Sequence, residues 1–198
     1  ERRYVVVSAP GKRHEGDEKV TDLLLSAHRD VLEGGDPGKR FTAIRGRFEE
    51  IAGELGVPGC ISREMDEAFQ AIRNSASRDF AASRGEFLCG LLFSRWLSIP
   101  FLDAAETVRF YEDGRLDDQT TGALLHEALL RHPMAVLPGF YGADSQGNIR
   151  VFSRGGSDVS GALAAAAADA ALYENWTDVT GFRSADPRII PDASYIAF

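Results

Sequence analysis

The sequence predicts an α/β fold: a three-layer αβα sandwich with a mainly parallel central sheet, plus a helical insertion. Three observations carry this. Short apolar, β-rich runs alternate with helical patterns through the second half of the chain, as they do where crossover helices join parallel strands. A β-branched run, Tyr4-Val5-Val6-Val7, lies near the start and ends at Ser8-Ala9-Pro10-Gly11. Between these regions, residues 22–80 show helical periodicity and no strand signal.

The elements follow in order. Residues 4–7 read as a buried strand entering a loop. Val20, Leu23, Leu24, Ala27 and Val31 recur at helical spacing, so a helix is expected over 20–32. The Gly34-Gly35-Asp36-Pro37-Gly38 stretch breaks it. A second helix is expected over 41–55, stopped by Gly56-Val57-Pro58-Gly59, and a third over 62–81. The pattern then changes at Ser83. An apolar helix is expected over 86–97, a short strand over 101–104 and a helix within 116–131. A strand at 134–138 leads to the loop Gly139-Phe140-Tyr141-Gly142. Further strands are expected at 149–153 and 172–176, with a helix over 157–170 between them.

Hydrophobic residues make up 44% of the 198 and charged residues 26%, enough for a sizeable core. The net charge of -8 repels nucleic acid and anionic membrane. Any phosphate must therefore be held by a local nest or a few placed cations. Two cysteines make no disulfide framework, and neither has metal-ligand spacing. Cys89, in an apolar run, is expected as a buried free thiol. His14, His28, His126 and His132 match no triad or ligand set, and no metal-binding residues are expected. No run is long enough to span a bilayer and the start resembles no signal peptide, so a cytoplasmic protein is expected.

The densest chemistry lies at Phe152-Ser153-Arg154-Gly155-Gly156-Ser157-Asp158. A strand runs through two glycines into a helix whose free amides suit an anion. Ser157 is expected as its N-cap, and Arg154 offers a fork for a carboxylate. A plain strand-turn-helix connection fits the same residues. Further on, Trp176-Thr177-Asp178-Val179 and Ser184-Ala185-Asp186-Pro187-Arg188 follow a strand signal, where ligands of open α/β sheets bind. Capped turns would also use these residues. Glu86 and Thr21, taken alone, read as a helix-start carboxylate and a helix N-cap.

Together these segments resemble the aspartate kinases of the amino-acid kinase family. Three further pieces agree and stand in the family's order: Val5-Val6-Val7-Ser8-Ala9-Pro10-Gly11-Lys12 with Val20-Thr21-Asp22, then Ser83-Arg84-Gly85-Glu86, then Gly139-Phe140-Tyr141-Gly142. The resemblance spans almost the whole chain. It implies transfer of the ATP γ-phosphoryl group to the β-carboxylate of L-aspartate, at the head of lysine, threonine and methionine synthesis. It implies Thr21, Glu86, Phe140, Arg154, Gly155, Gly156, Ser157 and Asp158 around aspartate, with Arg154 and Asp158 closest to the chemistry. It implies Ser8, Trp176, Thr177, Asp178, Phe182, Arg183, Ser184, Ala185, Asp186, Pro187 and Arg188 around ATP, with Mg²⁺ on the phosphates. A homodimer is also implied. Arg183 stands where many relatives carry an aromatic residue.

The family also carries a Lys-Phe-Gly-Gly-Ser/Thr strand before the first strand seen here, and ACT modules after the kinase domain. Neither is in this sequence, so an excerpt of a longer chain is expected, with weak or no kinase activity and no feedback response by itself. Other members of the family and an aspartate-binding remnant without turnover are the alternatives. A dinucleotide oxidoreductase is disfavoured, because no Gly-x-Gly-x-x-Gly follows a strand.

Overall fold

The computed structural model describes residues 3–153, 155–176, 184–185 and 189–194. Strand β1 (Arg3–Val7) leads into helices α1 (Val20–Leu32), α2 (Gly38–Glu54), α3 (Ser62–Arg73) and α4 (Arg78–Leu97). The chain continues through α5 (Ala104–Thr107), α6 (Asp118–Arg131), β2 (Met134–Pro138), β3 (Tyr141–Ala143), β4 (Ile149–Val151) and α7 (Gly156–Ala167). β1 and β2 pair in parallel, with Val5 opposite Val136. Phe101 forms a further parallel bridge to Val136, so β2 lies between two neighbours. β3 and β4 form an antiparallel hairpin.

The alternation of side chains along β1 and β2 sets the layers. Val5, Val7 and Val136 join the large cluster built by α1 to α4, whose deepest members include Leu24, Ile44, Phe48, Ile72, Leu88 and Leu92. Tyr4, Val6, Ala135 and Leu137 face the other way, against Leu125 and Leu129 of α6 and Leu163 and Ala167 of α7. The Tyr4 hydroxyl reaches past this layer and donates to the Leu129 carbonyl at 2.7 Å. The outcome is helix on sheet on helix, as expected. The helices α1 to α3 share one apolar core with α4 and the sheet.

Four local expectations are corrected. The helix expected over 62–81 is two helices. Asn74 ends α3, Ser75 takes a left-handed φ of 61°, and the Ser77 hydroxyl caps α4 by accepting from the Phe80 amide at 3.1 Å. Short polar side chains favour such breaks because they bond the backbone locally. α4 then runs unbroken through Ser83 and Glu86, because the Ser83 hydroxyl donates back to the Phe80 carbonyl at 2.8 Å. The 101–104 strand shortens to one bridge, since Asp103 turns the chain by capping α5 at the Ala105 amide. Residues 172–176 form no strand. Leu172 and Trp176 stand exposed, and Glu174 and Asn175 interrupt the run with poor strand formers.

Two glycines should respond oppositely to alanine. Gly46, inside α2, faces open space, so Gly46→Ala should raise stability by about 0.5–1 kcal/mol. A β-carbon on Gly142 would overlap the Val108 carbonyl oxygen, so Gly142→Ala should lower stability by about 1–3 kcal/mol. Urea unfolding of both variants measures this, and a stabilised Gly142→Ala would contradict the packing of β3 on the Val108 segment.

Candidate active site

Because β1 and β2 run in parallel, their carboxyl ends open on one edge, where α/β folds bind ligands. The Gly139 amide donates to the Val7 carbonyl at 2.9 Å and ties the two ends together. Three segments converge there. The loop after β1 carries Ser8 and Ala9. The segment after β2 carries Gly139 and Phe140. The first turn of α7 carries Gly156, Ser157 and Asp158. Small residues make the convergence possible: a β-carbon on Gly139 would lie 2.8 Å from Ser157 Cα, and one on Gly85 of α4 would lie 2.7 Å from Ala9 Cβ. Phe140 has φ 76°, a left-handed strain that a non-glycine residue keeps when surroundings enforce it. Its amide donates to Ser160 Oγ at 3.1 Å and its carbonyl accepts from the Phe152 amide at 3.0 Å.

Glu86 is the most unusual group in this region. It lies well inside α4 rather than at a helix start, and it is 6% exposed. Its Oε2 has no hydrogen-bond partner among the described residues. Burial pushes its carboxyl up to about 7, although its own amide, the Ala9 amide and the Arg84 guanidinium pull the other way. A buried acid with an open acceptor is costly by itself and is suited to a cationic ligand. An ammonium group would supply both the charge and the missing donor.

The remaining sequence-predicted residues fall as follows. Thr21 is half-buried and is the second residue of α1; Lys19 holds the N-cap position without a side-chain bond, so Thr21 is no cap. Ser157 is likewise inside the first turn of α7, because Gly155, at φ 58°, takes the N-cap position. Asp158 is exposed and accepts from Asn175 Nδ2 at 3.2 Å. Ser8 is exposed at the end of β1. Trp176 is 89% exposed, Ser184 is exposed with its amide on the Ser194 carbonyl at 2.9 Å, and Ala185 is half-buried. Arg154, Thr177, Asp178, Phe182, Arg183, Asp186, Pro187 and Arg188 lie outside the described residues. The structure thus brings Ser8, Glu86, Phe140 and the start of α7 to one sheet edge.

Sequence reasoning passed over Arg84. This residue is 6% exposed, with its guanidinium over the rings of Phe80 and Phe87, each at 4.3 Å, and of Tyr141 at 5.5 Å. Its Nε and Nη2 donate to Ser83 Oγ. The Tyr141 hydroxyl in turn donates to Asp103 Oδ1 at 2.7 Å. No spacing rule marks an arginine in an apolar helix as a buried cation; the aromatic neighbours that shelter it come partly from β3. His28 and His126 bond the Ala76 and Ala167 carbonyls, in the structural roles expected of them. Burial pushes the Cys89 thiol up to about 12, as an inert core thiol requires. A separate cleft of about 560 Å³, lined by Arg78, Phe80, Asn148 and Arg150 among others, contains none of the candidate residues. Among the described residues no helix is long and apolar enough to cross a membrane, and no three His, Cys, Asp or Glu gather as a metal site.

The fold is an αβα sandwich whose candidate site opens at the carboxyl edge of the parallel strands. The chain belongs to the amino acid kinase family, whose profile matches residues 2–197. It is similar to aspartokinase 3 of Bacillus subtilis (30% identity, 99% of this chain, 46% of that protein). It is also similar to the lysine-sensitive aspartokinase 3 of Escherichia coli (29% identity, 98% and 46%). Among solved structures, Clostridium acetobutylicum aspartate kinase superposes with a TM-score of 0.88 at 43% identity, over 97% of this chain and 44% of that one. E. coli aspartokinase III in complex with aspartate and ADP gives a TM-score of 0.74 at 29% identity, over 98% and 46%. The chain therefore spans about half the length of the curated relatives it matches.

The Glu86 environment has a pH signature. In the folded protein this carboxyl keeps its proton up to about pH 7, whereas an ordinary one releases it near 4.5. The folded state binds the extra proton in that window, so the contribution of Glu86 to stability declines as pH rises through it. Glu86→Gln cannot ionise, and should gain on the native protein by on the order of 2–3 kcal/mol between pH 5 and pH 8. Urea unfolding at the two pH values measures the gap; an equal gap at both would contradict the burial of an ionisable group there.

Proposed function

We propose that this chain supplies the aspartate-phosphorylating domain of an aspartate kinase. The β-carboxylate oxygen of L-aspartate attacks the γ-phosphorus of ATP, the bond to the ADP oxygen breaks, and 4-phospho-L-aspartate leaves with ADP. In this reading the product feeds synthesis of lysine, threonine and methionine in the cytoplasm. The observation that carries it is the buried, open carboxylate of Glu86 at the meeting point of the two parallel strand ends. The likeness to aspartokinases over nearly the whole chain supports the same substrate.

The residues divide the work. Glu86 takes the α-ammonium of aspartate. Thr21, Phe140 and the Gly155-Gly156-Ser157 turn enclose the substrate, and Arg154 grips a carboxylate with its planar fork. The free amides at the start of α7 face negative charge. Asp158 lies on the first turn of α7 beside these groups. Ser8, Trp176, Thr177, Asp178 and the segment 182–188 hold the nucleotide; Trp176 is open to stack on a base. Mg²⁺ arriving on the ATP phosphates neutralises charge that the protein leaves uncompensated. Phosphoryl transfer needs little covalent help, so placement of the two substrates is the main task of the protein.

Calorimetric titration of L-aspartate and Mg-ATP, each alone, tests the assignment. Arg154→Ala and Glu86→Gln should each weaken aspartate by roughly tenfold or more, as loss of a charged partner in a desolvated site does, and leave Mg-ATP nearly unchanged. Aspartate binding that both variants retain in full would overturn the pocket, and tighter binding of L-glutamate than L-aspartate would overturn the substrate.

A further inference from the structure

The loop between β1 and α1 is held from the helical layer by two side chains of α2: Glu50, which pairs with Arg13 at the exposed surface at 2.6 Å, and a buried arginine. Arg47, on α2, is 5% exposed. Its Nη1 donates to the Gly11 carbonyl at 2.5 Å, and its Nη2 donates to the Asp17 carboxylate and to the Glu18 carbonyl at 3.4 Å. These partners lie on both limbs of the loop, so a single guanidinium bridges its entry and its exit. The Val20 amide closes the same loop by reaching the Pro10 carbonyl at 3.4 Å. Ala9, at the entry, lies in the close approach to Gly85 of α4, one residue from Glu86. Thr21 follows directly at the exit.

Stability alone does not account for this arrangement. Taking a guanidinium out of water is expensive, and an apolar side chain of similar volume often serves a core as well or better. Here the burial is also incomplete in its partners, since Arg47 Nε has none among the described residues. What the guanidinium does achieve is geometric. It fixes the backbone of a polar, glycine-containing loop whose residues 11–16 are exposed, and at the entry of that loop the Ala9 amide faces the Glu86 carboxyl.

We propose that Arg47 is a positioning residue for the aspartate pocket, through which the helical layer holds the β1–α1 loop, and with it Ala9 and Thr21, against Glu86. This rests on the substrate assignment proposed above. It also gives residues 22–80, in which the sequence shows no chemistry, a task in the site.

The test combines amide hydrogen exchange of residues 10–19 with titration of L-aspartate and Mg-ATP. It compares the native protein with Arg47→Met, which keeps the aliphatic stem, and Asp17→Asn, which leaves the buried guanidinium in place. Arg45→Ala is the control, because Arg45 lies on the same helix and pairs with Asp66 at the surface. Arg47→Met should speed exchange across residues 10–19 and weaken aspartate by roughly tenfold or more, the scale on which small misplacements of binding groups register. Mg-ATP affinity should stay within about twofold under the same account. Asp17→Asn should move both readouts in the same direction by less, and Arg45→Ala should move neither. Faster exchange with unaltered aspartate affinity, or unaltered exchange in a folded Arg47→Met, overturns the proposal. If Arg47→Met does not fold, Asp17→Asn decides by the same two readouts. Failure of the native protein to bind aspartate is a separate result: it defeats the substrate assignment, and the proposal with it, before any variant is compared.

Discussion

The parallel pairing of β1 with β2 is the constraint on which the rest of the structure depends. It places both carboxyl ends at one edge of the sheet and leaves each strand with two faces to cover. One face takes α1 and α4, backed by α2 and α3; the other takes α6 and α7. The loops that leave the strand ends must then share a small volume with α4 and the start of α7. Glycines at 85 and 139 make room for that crowding. The candidate site is therefore a consequence of the layer geometry.

Within that site, stability and binding pull against each other. A carboxylate buried mid-helix with an open acceptor lowers the stability of the empty protein when it ionises. The same feature reserves an acceptor for a cationic ligand that water does not satisfy. Phe140, held at a left-handed φ between Ser160 and Phe152, is a second cost placed beside the first. The arginines show a related division. Arg84 is sheltered by aromatic rings beneath the site, and Arg47 is committed to a loop at its rim. Neither is a surface charge, although the net charge of -8 suggests a protein with few cations to spare for its interior.

Much of this was legible in the sequence, for identifiable reasons. β1 and β2 announced themselves as short apolar runs, α1 through the helical spacing that burial on a fixed face requires, and α2 through the Gly56-Val57-Pro58-Gly59 stop that follows it. The Gly155-Gly156 turn marked the start of α7, although Ser157 proved to lie inside the helix because Gly155 can adopt the left-handed conformation and take the N-cap position. The continuity of α4 was not legible, since the change from polar to apolar pattern at Ser83 read as a boundary, whereas the Ser83 hydroxyl bonds back to the Phe80 carbonyl within one helix. The motif Ser83-Arg84-Gly85-Glu86 pointed to Glu86 as a ligand. That Glu86 is buried with an open oxygen depends on the loop after β1, far away in the chain. Arg47 and Asp17 are separated by a helix and a turn, and no local pattern connects them. Contacts of that kind exist only once the layers have packed.

The most direct test of the account is the titration of Glu86 itself, read by NMR on carbon-13-labelled glutamate carboxyls with Glu86→Gln for assignment, with and without L-aspartate. The account predicts a midpoint near 7 in the free protein that falls markedly when aspartate is present, because an ammonium group next to the carboxylate favours its ionised form. A midpoint near the ordinary 4.5 that aspartate leaves in place would contradict both the burial of this group and its role as the ammonium ligand.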